Sequence, residues 1–537
     1  MTAVRVMGSE TEYGIHAPSA PGSNATWLST QVVHAYALVS GDRAAGGSEA
    51  RWDYTDEDPL ADARGWTVPR HTAHPSQLTD VPPELTAAQI ALEGGELDDD
   101  GSTGPLMMNM VLGNGARLYV DHAHPEYSSP EVTNPYDAVR WDAAGDQVAL
   151  AAVRQIAANP ALPEVNLYKN NTDNKAVSYG SHENYLMPRS VPFSHIVRGL
   201  TPFFTTRALI CGAGRVGKGQ DGSVPGFQLS QRADFFEAEV GLETTIRRPI
   251  INTRDEPHAT AEKYRRLHVI IGDANFSHVS NYLKFGTTSL VLDLIENGEA
   301  PQVEVQGPVE ALRAVSHDTT LRGLHRLADG RRATALDIQW MYLEAAAKRA
   351  AATGASDSVT GDGHTSQVLA RWEQVLTGLA GGPEAVAGQV EWAAKLGLLE
   401  QYRQRDSLGW DNPRLGLIDL QWSDVRPEKG LYHRLLAHGR MERLVSDADI
   451  AAAVRQPPSD TRAYFRGQCI QRYGASIVGA SWDSVIFELP GQRRLRRVPT
   501  REPLRGTQAL TGRLFAAHPD AESFLAELLD LPALKGQ

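Results

Sequence analysis

An Asn-Gly pair at 114–115, followed by the run ARLYVDHAHPEY (116–127), narrows the folds open to this chain more than any other stretch. Asn-Gly favours a tight hairpin turn, so the residues after it are predicted to leave as a β-strand. Alternation then puts Leu118 and Val120 on one face, with Tyr119 and Asp121 on the other. Two imidazoles, His122 and His124, and a second carboxylate, Glu126, follow at once. Pro125 is expected to end the strand. A polar turn closing a strand would use the same residues. A carboxylate aimed off a strand end among metal-type ligands is also what hydrolytic or phosphoryl chemistry uses.

The N-terminal segment VRVMGSETEYG (4–14) carries a related pattern. In extended geometry Glu10 and Glu12 point to one face, where they repel unless a cation lies between them. A divalent metal is the usual solution, although an exposed edge strand would tolerate the pair. Gly8 and Gly14 bracket it, which suits a backbone that comes close to a ligand. Farther along, His182 lies among small and polar neighbours in YGSHENY (179–185). Arg232 stands beside carboxylates, and Arg266 and His268 alternate onto one face of a strand-like run. Cationic groups there could grip phosphate oxygens or stabilise an oxyanion, or simply pair with Asp273 or Glu256.

The rest of the chain bounds the reading. Its 537 residues suffice for a large core and more than one domain. A net charge of −13 argues against general nucleic-acid binding, and no run of 18 apolar residues offers a membrane span. The N-terminus lacks a secretory pattern, and Cys211 and Cys469 have no CxxC spacing. A reducing cytoplasm is therefore the expected setting. Gly212-x4-Gly217-Lys218 mimics a P-loop, but Gly219 replaces the magnesium-binding hydroxyl and no helix can follow, so a glycine-rich loop is predicted. Acidic runs at 42–62 and 93–104 read as a mobile surface insertion and a loop. Helices are predicted from Asn134 to about Asn159, near 335–351, 366–379 and 385–399, and from Asp447 to Arg455. A polar loop is expected from Thr353 to His364. One basic strip, 492–505, holds six arginines against a single Glu502, a candidate dock for an acidic partner.

Several segments together resemble one family: GSETEYG (8–14), NGARLYVDHAHPEYSSPE (114–131), YGSHENYLM (179–187), GFQLSQRADF (226–235), INTRDEPHA (251–259), YRRLHVIIGDAN (264–275) and SWDSVIFELPG (481–491). This is similar to the Pup ligase/Pup deamidase family, related to glutamine synthetase-type carboxylate–amine ligases. The likeness implies an α+β fold. A glutamine synthetase-like domain (1–430) would hold a curved, mostly antiparallel sheet backed by helices and an acidic mobile insertion at about 41–80. A small α+β domain (431–537) would follow.

The DHAHPEYSSPE form and the insertion point to the deamidase branch. That branch hydrolyses the C-terminal glutamine amide of Pup, an acidic disordered tag, and removes Pup from conjugates. A Pup–protein ligase is the alternative, and a nucleotide-independent metallohydrolase a further one. The resemblance implies ATP, or ADP plus phosphate, with Mg2+. It makes Asp121 the catalytic carboxylate, as nucleophile or general base, and has Arg232 hold the substrate glutamyl group or a phosphate. Metal ligands fall on Glu10, Tyr119, Glu126, His182 and His268. Nucleotide contacts fall on Gly8, Ser9, Glu10, Thr11, Glu12, Ser128, Ser129, Asn184 and Arg266, with Trp482 against adenine. Pup and pupylated proteins are the implied partners, with a monomer favoured.

Overall fold

The computed structural model describes residues 5–40, 50–79, 108–173, 177–217, 225–353 and 363–530. The acidic run at 93–104, most of the Thr353–His364 loop, the end of the glycine-rich loop and residues 41–49 of the insertion lie outside them.

The described fold mixes helix and sheet, and no sheet closes into a barrel. Its centre is a six-stranded sheet built from β1 (Met7–Glu12), β2 (Asn109–Val111), β3 (Arg117–Asp121), β4 (His124–Ser128), β5 (Ser181–Pro188) and β6 (Tyr264–Val269). The strand order is β6-β5-β1-β4-β3-β2, and every neighbouring pair is antiparallel. Pro125 does not end a strand, contrary to the expectation. The chain turns at His122, whose φ is 53°, and β4 runs back along β3 with Pro125 opposite Val120. Proline has no N–H to give to the ladder, and its carbonyl accepts from the Tyr13 N–H at 2.9 Å.

Register sets what each face carries. Glu10 lies opposite His182 and Ser128, Glu12 opposite Glu126, Glu126 opposite Tyr119, and Asn184 opposite His268. Cross-strand partners share a face, so these polar side chains gather on one side of the sheet. The other side is packed by helices, including α1 (Ala25–Val39), α2 (Pro135–Ala157) and α3 (His278–Glu296). Asn134 caps α2 through the Asp137 N–H. A buried polar seam lies behind the strands. Lys169 Nζ donates to Asp142 at 2.8 Å and Asp146 at 2.9 Å, and Arg207 grips Glu183 through two bonds at 2.7 and 2.8 Å. Each charge there has its partner, as a dry interior demands.

A second sheet near the C-terminus contains β7 (Ile477–Ala480), β8 (Ser484–Phe487) and β9 (Arg496–Pro499). Its edge is the two-residue strand Arg51–Trp52, which pairs in parallel with β7. Phe465, Tyr473, Phe487, Phe515 and Phe524 form a cluster of their own beneath this sheet. The helix Asp447–Arg455 instead sends Ile450 and Ala453 into the main core. The described part of the insertion, 50–79, is thus tied to the C-terminal sheet. Arg497 binds Asp53, and Arg501 lies 3.5 Å from Asp56.

Candidate active site

The polar face of the sheet opens into a cavity of about 360 Å³. Tyr119, Asp121, Glu126, His182 and His268 line it, together with Glu10, Arg266 and, from the insertion, Tyr54, Glu57 and Ser76. Two groups of ligand atoms stand out, each within 4.8 Å of one another: Glu10 with His182 and His268, and Glu12 with Asp121 and Glu126. Glu10 and Glu12 share a face, as alternation requires, yet serve different groups.

Electrostatics separate the two groups. Burial alone would raise the Glu10 pKa. Hydrogen bonds from His182 and His268 outweigh it and hold the carboxyl well below its usual value. His182 Nδ1 lies 3.3 Å and His268 Nε2 3.6 Å from Glu10 Oε2. Burial pushes the His268 imidazole down to about 3, which keeps it neutral and able to act as a ligand. The second group is crowded with negative charge. Burial, and then the charges of Asp121 and Glu12, push the Glu126 carboxyl well above its usual value. Asp121 is held low against burial by His122, whose Nδ1 lies 3.0 Å from its Oδ1. The bond to Asp121 in turn lifts His122 to about 9. Buried carboxylates converging without enough positive charge are the donor set that a hard divalent cation fits. Glu12 is held by the Gly180 N–H at 2.7 Å, and a side chain at 180 would collide with Glu12 and His182.

A narrower slot adjoins this cavity between the sheet and the C-terminal segment. Gly8, Ser9, Glu10, Ser128, Ser129, Asn184, Arg266 and Trp482 line it, with His258, Glu131 and Arg462. Arg266 donates to Asn184 Oδ1 at 2.6 Å, and Asn184 donates to Glu10 at 2.9 Å. The Ser128 hydroxyl is buried without a hydrogen-bond partner among the described residues.

Most of the predicted residues therefore meet. Of the expected nucleotide contacts, Thr11 and Glu12 do not line the slot, and Glu12 joins the Asp121 group instead. Ser9 lines the slot, but its hydroxyl and that of Thr11 lie on the helix side, 3.3 and 3.4 Å from Asp142. Arg232 is fully buried and lines neither space. Its guanidinium donates to the carbonyl of Ile270 and to Ser178 Oγ at 3.4 Å. Burial, and then the charge of Arg248, lower its pKa to about 9. Arg254 instead lines the cavity, together with Arg117 and Arg266. Arg254 and His258 carried no assigned role in the sequence reading, although both lie in the INTRDEPHA segment; Glu256, expected there as an ion-pair partner, lies 3.2 Å from Arg266.

A family profile described as "Pup-ligase protein" matches residues 5–486. The chain is 56% identical to the "Depupylase" of Acidothermus cellulolyticus, over 98% of this chain and 99% of that one. It is 52% identical, with the same coverage, to the "Pup deamidase/depupylase" of Mycolicibacterium smegmatis. The "Pup--protein ligase" of Paenarthrobacter aurescens is 43% identical over 68% of this chain and 80% of its own. Among solved structures, the complex between "Prokaryotic Ubiquitin-like Protein Pup and its Ligase PafA" aligns with TM-score 0.74 and 29% identity, covering 98% of this chain and 96% of that one. A PafA structure in complex with ADP aligns with TM-score 0.67 and 35% identity, covering 76% and 89%. The chain belongs to the Pup-ligase family.

Proposed function

We propose that this chain is a depupylase: it hydrolyses the side-chain amide of the C-terminal glutamine of Pup and cleaves the isopeptide bond between Pup and a lysine. The observation that carries this reading is the placement of Asp121. It stands at a strand end in a cavity that also holds two metal-type ligand groups and opens beside a slot suited to a nucleotide. The relatives named as depupylases are 56% and 52% identical over 98% of the chain, whereas the Paenarthrobacter aurescens ligase is 43% identical over 68% of it.

In this reading Asp121 acts on the amide carbon, either by attacking it directly or by taking a proton from water. His122 orients the carboxylate. The PafA neighbour solved with ADP supports a nucleotide in the slot, with Trp482 at the base and Arg266 and Asn184 toward the phosphates. Glu10, His182, His268 and Glu126 would hold Mg2+, with Tyr119 against Glu126. The cation would neutralise the carboxylates and polarise bound oxygens. Arg254, rather than the buried Arg232, reaches the substrate. Residues 1–430 would make the glutamine synthetase-like catalytic domain and 431–537 the small one, which shares the main core through the Asp447–Arg455 helix and lines the slot with Arg462, Trp482 and Pro503.

The test is incubation with ATP and Mg2+ plus either Pup ending in glutamine or a Pup conjugate. Ammonia or free target is expected. New conjugates formed from the glutamate form would make the chain a ligase, and turnover without nucleotide would make it a simple metallohydrolase.

A further inference from the structure

Arg117 opens β3, two residues before Tyr119, and only 7% of it is exposed. It makes no ion pair among the described residues. Its guanidinium carbon lies 3.8 Å from the centre of the Tyr119 ring and 3.9 Å from that of Trp52. Two rings cannot come so near on one side of a planar group, so the guanidinium carries one on each face. Its edge is used as well: Nε donates to Asn109 Oδ1 at 3.0 Å and Nη2 to Tyr54 Oη at 3.2 Å. The charge of Arg117 reaches the Glu57 carboxyl without an ion-pair contact. A desolvated cation with no carboxylate in contact is costly, and aromatic faces with neutral acceptors offset that cost only while the stack is complete.

The stack links three places. Tyr119 stands in the cavity opposite Glu126. Trp52 belongs to the insertion and donates to Glu57, which lines the same cavity, at 2.6 Å. Trp52 also meets Trp482 of the slot edge-on, with ring centres 5.1 Å apart and planes at 71°. We propose that Arg117 is a positioning residue. By binding Trp52 and Tyr119 on its two faces, it couples the seating of residues 50–57 to the ring of Tyr119 on one side and to Trp482 on the other. This deepens the depupylase reading and rests on it for the catalytic consequence.

The test is a double-mutant cycle with Arg117→Lys and Trp52→Ala, read in kcat for ammonia release and in ADP affinity by calorimetry. Lysine keeps the charge but has no planar face. Each single variant is expected to lower kcat about tenfold and weaken ADP about threefold. The double variant should be little worse than either, because either change alone breaks the stack. Trp52→Phe, which keeps a ring, should recover most of the loss. Additive losses, wild-type values for Arg117→Lys, or a Trp52→Phe protein no better than Trp52→Ala would overturn the proposal. A wild-type chain that binds ADP but releases no ammonia defeats the depupylase reading alone, and the stack then stands or falls on the ADP cycle. One that does not bind ADP overturns both.

Discussion

Replacing Glu131 with Gln removes the carboxylate that ties the chain leaving β4 to the C-terminal segment. Glu131 accepts from Arg462 Nε at 2.8 Å and from Arg466 in a shorter contact. Burial alone would raise its pKa, but the charges of Arg466 and Arg462 overcome burial and hold it at about 2 instead of 4.5. At about 1.4 kcal/mol per pH unit, that difference is on the order of 3 kcal/mol of folding stability. The folded value lies below the unfolded one. The contribution is therefore complete above about pH 4.5 and is lost as pH falls toward about 2. Urea unfolding followed by circular dichroism should find the Glu131→Gln protein about 3 kcal/mol less stable at pH 7. The gap to wild type should close by about 1.4 kcal/mol at pH 3.5. ADP affinity should fall as well, because Arg466 also donates to the Trp482 carbonyl at 3.1 Å. Equal stability at pH 7, or a gap that does not change between pH 7 and 3.5, would refute this reasoning.

Two further outcomes follow from the same geometry. His268→Gln should weaken Mg2+ binding by at least about tenfold in calorimetry, since it removes one arm of the Glu10 group; unchanged affinity would remove His268 from the ligands. In the basic strip Arg497 is engaged with Asp53, so the guanidiniums left for a partner include Arg494 and Arg496. Reversing those two to Glu should weaken Pup binding in a salt-dependent way, and unchanged affinity at low salt would exclude the strip as a dock.

How much of this was legible in the sequence depended on period and range. Alternation correctly paired Tyr119 with Asp121 and Arg266 with His268 on single faces, because both pairs lie within one strand. The same rule contradicts assigning Gly8 through Glu12 as one contiguous set of contacts. If Glu10 faces the cavity, Ser9 and Thr11 must face the helices, and the family likeness hid that conflict. Helix starts were readable at Asn134 and Asp447, and the structure finds a capping side chain at each, from Asn134 and Ser446. Sheet order was not readable, since β1 lies between β4 and β5, strands more than 100 residues away in sequence. Arg254 and His258 escaped notice because they sit on irregular chain before β6, where no periodicity indicates which way a side chain points. The family likeness gave Arg232 the substrate glutamyl group or a phosphate, and no local pattern could reveal that the chain at 270–272 packs over its guanidinium.

The most direct measurement is on Asp121→Asn, which keeps the shape of the side chain and removes its charge. Ammonia release from Pup ending in glutamine should fall to background, while calorimetry still finds ATP bound with affinity near that of wild type, because the slot does not include Asp121. Deamidation near the wild-type rate would contradict the assignment of the chemistry to this carboxylate.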